Sequence, residues 1–270
     1  MTILYAWVTP AFIQNSPADH TWVTSYDSRQ NVYPEITDVT NASQNFWFCW
    51  GKYRPGGTPS APIAVQGGNL AFAQCLVQPN YPSDASWPAR GTIFHYAIEG
   101  VCHQLANQVL FATGGPGVAP ATVALARWYR YSSAIYGDYG LAHSDWLARI
   151  AACQGSTGLD GAEPTGFEMP DDSFDQALGS LLGEGDPRLD AVRTLREAHQ
   201  AEVRGLRALT ASPEATAAVL NARHQHFFDQ VAELLGNEAF EQLFGFPAMT
   251  EVNLVDPEQI EMPDGTPEAG

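Results

Sequence analysis

The chain has 270 residues, 45% of them hydrophobic, and its 30 acidic side chains outnumber 13 basic ones for a formal net charge of −17. That balance argues against a nucleic-acid backbone or an anionic membrane surface as partner, since both require clustered Lys and Arg. No apolar run approaches the roughly 18 residues of a membrane-spanning helix, while the length permits a sizeable core in one large domain or two small ones.

The first ten residues are apolar but carry no Lys or Arg and end at Pro10. They read as a first strand over 3–8 and not as a signal peptide, which sets a cytoplasmic expectation. A turn-forming stretch, Gln14 to Ala18, precedes a strand over 21–26 opened by His20. A third, aromatic strand is expected over 46–50, just after Asn45. Further strands are expected over 71–77 and 92–98, with Pro55-Gly56-Gly57, Gly67-Gly68-Asn69 and Asn80-Tyr81-Pro82-Ser83 as the intervening turns.

The stretch GTIFHYAIEGVCHQLANQVLFATGG carries the chemistry. Its first half has the β-branched and aromatic residues of a strand, Gly100 permits a tight turn, and Leu105, Val109 and Leu110 recur at helical spacing until Gly114-Gly115 stops the helix. Cys102 falls in the first helical turn. There the unpaired N–H groups and the helix dipole favour a thiolate, so the expectation is a depressed thiol pKa and a nucleophilic sulfur. Four cysteines form no C-x-x-C pair, so neither a zinc knuckle nor a dithiol motif is expected, and no cofactor is called for.

A helix with Trp128, Tyr129 and Tyr131 is expected over 121–136, and a second over 146–153 capped by Ser144-Asp145. A Gly/Pro/acidic linker over 154–171 marks a change in composition. Residues 1–154 carry 8 acidic and 7 basic side chains, whereas 155–270 carry 22 and 6. Asp186-Pro187 and Ser212-Pro213 are N-caps followed by proline at the first helical position, and Asn237-Glu238 begins a last short helix. Val192, Leu195, Val203, Leu206 and Leu209 form one apolar face; Val219, Phe227, Phe228, Val231, Leu234 and Leu235 form another. Two antiparallel helices result. The segment after Met249 is polar, proline-bearing and acidic, and is expected to be a disordered tail. The domain organisation is then 1–154 as an α+β unit, 155–249 as an acidic helical extension and 250–270 as tail.

A histidine strand followed by a helix that opens with cysteine resembles the circularly permuted papain-like superfamily, in which the histidine precedes the nucleophile as His20 precedes Cys102. That resemblance covers residues 1–115. It implies an α+β fold with a small antiparallel sheet packed by the nucleophile helix, Cys102 as nucleophile, His20 as general base, and Asn45 or Asp27 as the orienting third residue. It also implies a cysteine-dependent hydrolase or acyl or peptidyl transferase acting on an amide, ester or thioester of a small-molecule or peptide substrate. His95 is the alternative base and Tyr96 an alternative oxyanion donor; His103 is turned about 100° away from its neighbour Cys102.

Two other functions compete. The protein is a non-catalytic binder if the cysteine is core filler and the helical half docks a protein partner. It is a metal-dependent bundle enzyme if Glu197, His199 and Glu202 on one helix face His224 and His226 on the next. The spacing of the last two histidines opposes a shared metal, because they point to different faces.

Overall fold

The structure is a computed structural model that describes residues 2–10, 18–24, 47–48, 62–68, 95–114, 121–141, 172–206, 212–257 and 260. The described architecture is α+β and mostly helical, with a small antiparallel sheet. Strand β1 (Thr2–Pro10) pairs with β2 (Asp19–Thr24) on one side and with β4 (Pro62–Gly68) on the other, and β3 (Trp47–Phe48) pairs with β2, giving the order β3-β2-β1-β4. Trp7 lies opposite Trp22 and Ala6 opposite Val23, and all four are buried. Such cross-strand pairs are what fix register. Strand β4 is an addition to the sequence reading, which placed a turn at Gly67-Gly68. The β1–β4 register slips between Ala6 and Trp7, so that Ala64 and Pro62 are consecutive partners. A bulge on an edge strand is where a proline, with no N–H to give, is tolerated.

The strand expected over 71–77 and the helix expected over 146–153 lie outside the described residues. The strand expected over 92–98 is corrected in its described part. Residues 95–100 form a turn in which the N–H groups of Ile98 and Glu99 both donate to the His95 carbonyl and Ala97 N–H donates to Gly100 O at 2.8 Å. The Glu99 carboxylate accepts the His95 N–H at 2.9 Å and so closes the loop. Helix α1 (Cys102–Gly114) follows and stops where expected.

The helix expected over 121–136 is also shorter than read. Only α2 (Tyr129–Tyr136) forms. Upstream, Val123 N–H donates to Asn107 Oδ1 (2.9 Å), Arg127 N–H donates to Asp19 Oδ2 (2.8 Å), and Trp128 adopts φ 66°. These tertiary hydrogen bonds replace the helical ones and outweigh local propensity.

Beyond the linker, α3 (Ser173–Leu182), α4 (Pro187–Gly205), α5 (Pro213–Leu235) and α6 (Asn237–Phe244) complete the described helices. The caps work as read: Asp186 accepts from Arg188 N–H and Ser212 from Ala215 N–H, each with proline in the first turn. Contacts between Arg188 and Leu235, His199 and His224, and Glu202 and Arg223 run in opposite directions along α4 and α5, so the pair is antiparallel. Gly236, at φ 80°, turns the chain from α5 into α6. None of the described helices is long and apolar enough to cross a membrane.

Residues 251–257, read as the start of the tail, are packed. Val252, Leu254 and Val255 are buried, and Asn221 and Gln225, one turn apart on α5, take the backbone of Val255 and Val252. The apolar core is continuous across the expected boundary at 154: Ile98, Val101, Trp128 and Tyr131 cluster with Phe174, Phe228, Phe244 and Val255.

Helix α2 is the buried centre of this arrangement. Two side chains of α4 take its last carbonyls: Arg196 donates to Ser133 O (2.9 Å) and Ala134 O (2.7 Å), and Gln200 to Ile135 O (2.8 Å). Arg196 also pairs with Asp172 at 2.6 Å and lies over the Phe174 ring. Replacing Arg196 with Leu removes the side-chain donor from Ala134 O, leaves Ser133 O with the Gly137 N–H alone and takes the cation from Asp172, and it should lower the unfolding free energy in urea by about 2–4 kcal/mol. Arg196→Lys should recover only a minor part, because one ammonium lacks the guanidinium fork.

Candidate functional site around Cys102

The N-terminus of α1 docks against one edge of β2. In a strand the carbonyl of one residue and the N–H of the residue two further on point the same way. Asp19 O accepts His103 Nε2–H at 2.8 Å, and Thr21 N–H faces Cys102 Sγ. His20 lies between those two residues, buried, its ring stacked on Trp22 at 5.9 Å and within electrostatic reach of His103. Cys102 thus faces Thr21, the neighbour of His20 on β2, and successive strand residues point to opposite faces of the sheet. Asn45 and Asp27 lie outside the described residues.

Asp19 fastens this edge from the other side. Its carboxylate accepts from the backbone and guanidinium of Arg127, and its own N–H donates to Arg127 O. His103 is held at both nitrogens, since Nδ1 sits 2.8 Å from Ser132 Oγ. A carbonyl can only accept, so Nε2 carries the proton, while the Ser132 hydroxyl lies between Nδ1 and the Tyr129 carbonyl with one proton for the two. A histidine committed in this way is not available as a base.

Ionisation differs from the sequence expectation. Burial pushes the Cys102 thiol up to about 11; the N–H and hydroxyl of Thr21 and the first N–H groups of the helix oppose that shift without reversing it. Desolvation outweighs the helix terminus. Burial likewise lowers His20 to about 3 and His103 to about 4. The Cys102 thiol and the His20 imidazole both rest uncharged.

Thr21, read from sequence only as a strand former, is a functional candidate. It is 1% exposed, and its hydroxyl lies against the Cys102 sulfur with no oxygen or nitrogen partner. A thiolate at Cys102 is the acceptor it would meet. Tyr96 completes the surroundings: its Oη accepts Asp256 N–H at 3.1 Å, and it lies near enough that charge on Cys102 would push the phenol up. His95, the alternative base, is exposed at the mouth of the 95–100 turn.

One face of α1 is polar and buried. Gln104 donates to Gly137 O (2.9 Å), Asn107 to Asp138 O (2.8 Å) and Gln108 to Tyr139 O (2.7 Å). Gln104 Oε1 also accepts Val101 N–H, tying the residue before Cys102 to the same face.

The residues weighed as metal ligands are arranged otherwise. Glu197, Glu202 and His226 are exposed, whereas His199 and His224 are buried with Nε2 and Nδ1 3.0 Å apart. That is a hydrogen bond in which one nitrogen keeps its proton, so the two lone pairs do not converge on a cation. Among the described residues no group of three His, Cys, Asp or Glu side chains is placed to hold a metal. An open groove of about 440 Å³ lies between the end of α3 and the α5–α6 joint, lined by Leu181, Leu182, Leu235 and Ala239 among others; it includes no residue of α1 or β2. No protein-family model, curated protein or solved structure matches the chain.

Two outcomes test this geometry. Replacing Thr21 with Val, which keeps shape and removes the donor, should slow alkylation of Cys102 by iodoacetamide at pH 8 by about threefold or more, while Thr21→Ser should stay near wild type. Stability should also depend on pH. Histidines whose folded pKa lies below the unfolded value leave stability intact above about 6.5, and each withdraws up to about 1.4 kcal/mol per pH unit as pH falls from there toward its folded value. The urea midpoint should therefore fall steadily from pH 6.5 to about pH 4 as His103 and His199 charge, and go on falling toward pH 3 as His20 does.

Proposed function

We propose that this chain performs cysteine-dependent acyl chemistry, hydrolysing or transferring the acyl group of an amide, ester or thioester, with Cys102 as nucleophile and His20 as base. The observation that supports it most is the docking of the start of α1 on the strand that carries His20, with the N–H and hydroxyl of Thr21 against the sulfur. The order of histidine strand and cysteine helix is that of the permuted papain-like arrangement, which we adopt as the working topology.

In the first step Sγ attacks the carbonyl carbon as His20 takes the thiol proton, and the carbonyl π pair moves onto oxygen. The oxyanion is met by N–H groups at the start of α1, with Tyr96 and Thr21 nearby as hydroxyl donors. Collapse expels the amine, alcohol or thiol, which receives the proton from His20, and leaves a thioester on Cys102. Water or an acceptor amine then attacks that thioester, giving up its proton to His20 and restoring the thiol. Because both partners rest uncharged, the proton moves with the attack; no thiolate–imidazolium pair stands ready. A peptide or small molecule is the proposed substrate, and the helical half is the surface on which a protein partner would dock.

The neutral thiol favours one other reading, a non-catalytic protein in which Cys102 is inert. Hydrolysis of an activated thioester or p-nitrophenyl ester separates the two. Cys102→Ser and His20→Asn should each fold normally and lose turnover by at least about 100-fold, and the double variant should be scarcely worse than either. With groups ionising at about 3 and about 11, kcat/KM should be flat between about pH 5 and pH 9. Turnover surviving both substitutions, or absent from the wild type across the panel, would favour the inert thiol.

A further inference from the structure

A hydrogen-bonded chain runs from the helical half to the turn that carries Cys102. His199 Nε2 lies 3.0 Å from His224 Nδ1, His224 Nε2 lies 3.0 Å from Tyr136 Oη, and Tyr136 Oη lies 2.7 Å from Ala97 O. Its direction is fixed from the far end. The Ala97 carbonyl can only accept, so the Tyr136 hydroxyl gives it its single proton. His224 Nε2–H must then donate to the tyrosine oxygen, and the neutral His224 ring accepts at Nδ1 from His199 Nε2–H. All three side chains lie within the packed interior; His199 is further held by stacking on Phe227 at 4.7 Å.

Ala97, at the end of the chain, has φ 65°. The left-handed region costs a residue with a Cβ about 1 kcal/mol, so something must hold it there. Its N–H closes onto Gly100 O, and Val101 and Cys102 follow directly.

We infer that His199, His224 and Tyr136 form a positioning relay that pins Ala97 in the left-handed conformation and thereby sets the first turn of α1 and the placement of Cys102. None of the three adjoins the sulfur; they act through the 95–100 turn. The relay rests on Cys102 being the functional thiol, and it deepens that reading by placing control of the nucleophile on α4 and α5.

The test is a rescue. Tyr136→Phe removes the donor to Ala97 O. The turn should then loosen and water reach a sulfur whose ionisation burial suppresses, so iodoacetamide alkylation of Cys102 at pH 8, followed by mass spectrometry, should accelerate by at least about threefold. Ala97→Gly in the same background should return the rate to near wild type, because glycine holds a positive φ without help. Global stability, read separately in urea, should not be restored by the glycine, since His224 still lacks its acceptor. If Tyr136→Phe does not fold, His224→Leu keeps the hydroxyl but removes the donor that orients it, and the same rescue applies. Alkylation at the wild-type rate in the loosened variant, or acceleration that Ala97→Gly leaves unchanged, would overturn the relay. The alkylation readout needs no turnover, so a failure of the acyl reading would show separately, as a wild type without esterase or thioesterase activity.

Discussion

The constraint on which the described structure depends is the desolvation of one short segment, residues 133–139. A helix of eight residues such as α2 cannot satisfy its own C-terminal carbonyls, and here those carbonyls lie in the core, where an unpaired one costs about 1–3 kcal/mol. Two helices supply the missing donors from opposite sides. Arg196 and Gln200 of α4 take 133, 134 and 135, while Gln104, Asn107 and Gln108 of α1 take 137, 138 and 139. On each helix the donors are spaced so that they share a face. The segment is thereby clamped, and α1 and α4 are placed relative to each other through it.

That clamp also explains how a half-buried thiol comes to sit on rigid ground. The amide face of α1 fixes the helix in rotation and height, Gln104 secures the residue before Cys102, and His103 locks onto the edge of β2. Sites built on such fixed elements hold their geometry better than sites on free loops. The cost appears in ionisation. A setting this well packed withholds water from the sulfur, and burial outweighs the helix terminus that the sequence pattern emphasised.

Legibility followed physical locality. Helix starts at Asp186-Pro187 and Ser212-Pro213 were readable because a cap and a proline act within one turn, and most of the apolar faces of α4 and α5 was readable from period, although Val219 and Leu234, assigned to the α5 face, lie exposed. The boundaries at 95–98 and 121–128 were not, because they are decided by Glu99, Asn107 and Asp19 reaching across space. His199 and His224 looked like ligand candidates or a solvated face, since an isolated sequence cannot report that two histidines satisfy each other in a core. One signal was present and unused: α1, CHQLANQVLFATG, contains no charged residue, the mark of a helix buried on more than one side, so its amides had to find partners inside. Thr21 left no such trace.

The clamp also dictates when the protein can fold during synthesis. A chain leaving the ribosome presents α1 and α2 long before Arg196 and Gln200 exist outside the exit tunnel, so segment 133–139 emerges with half its side-chain donors not yet made. Burying it early would strand polar backbone, and leaving α2 out would expose Tyr131, Ile135 and Tyr136 to water. Vectorial synthesis therefore sets the order in which this interior can close, with α4 as its last clamp.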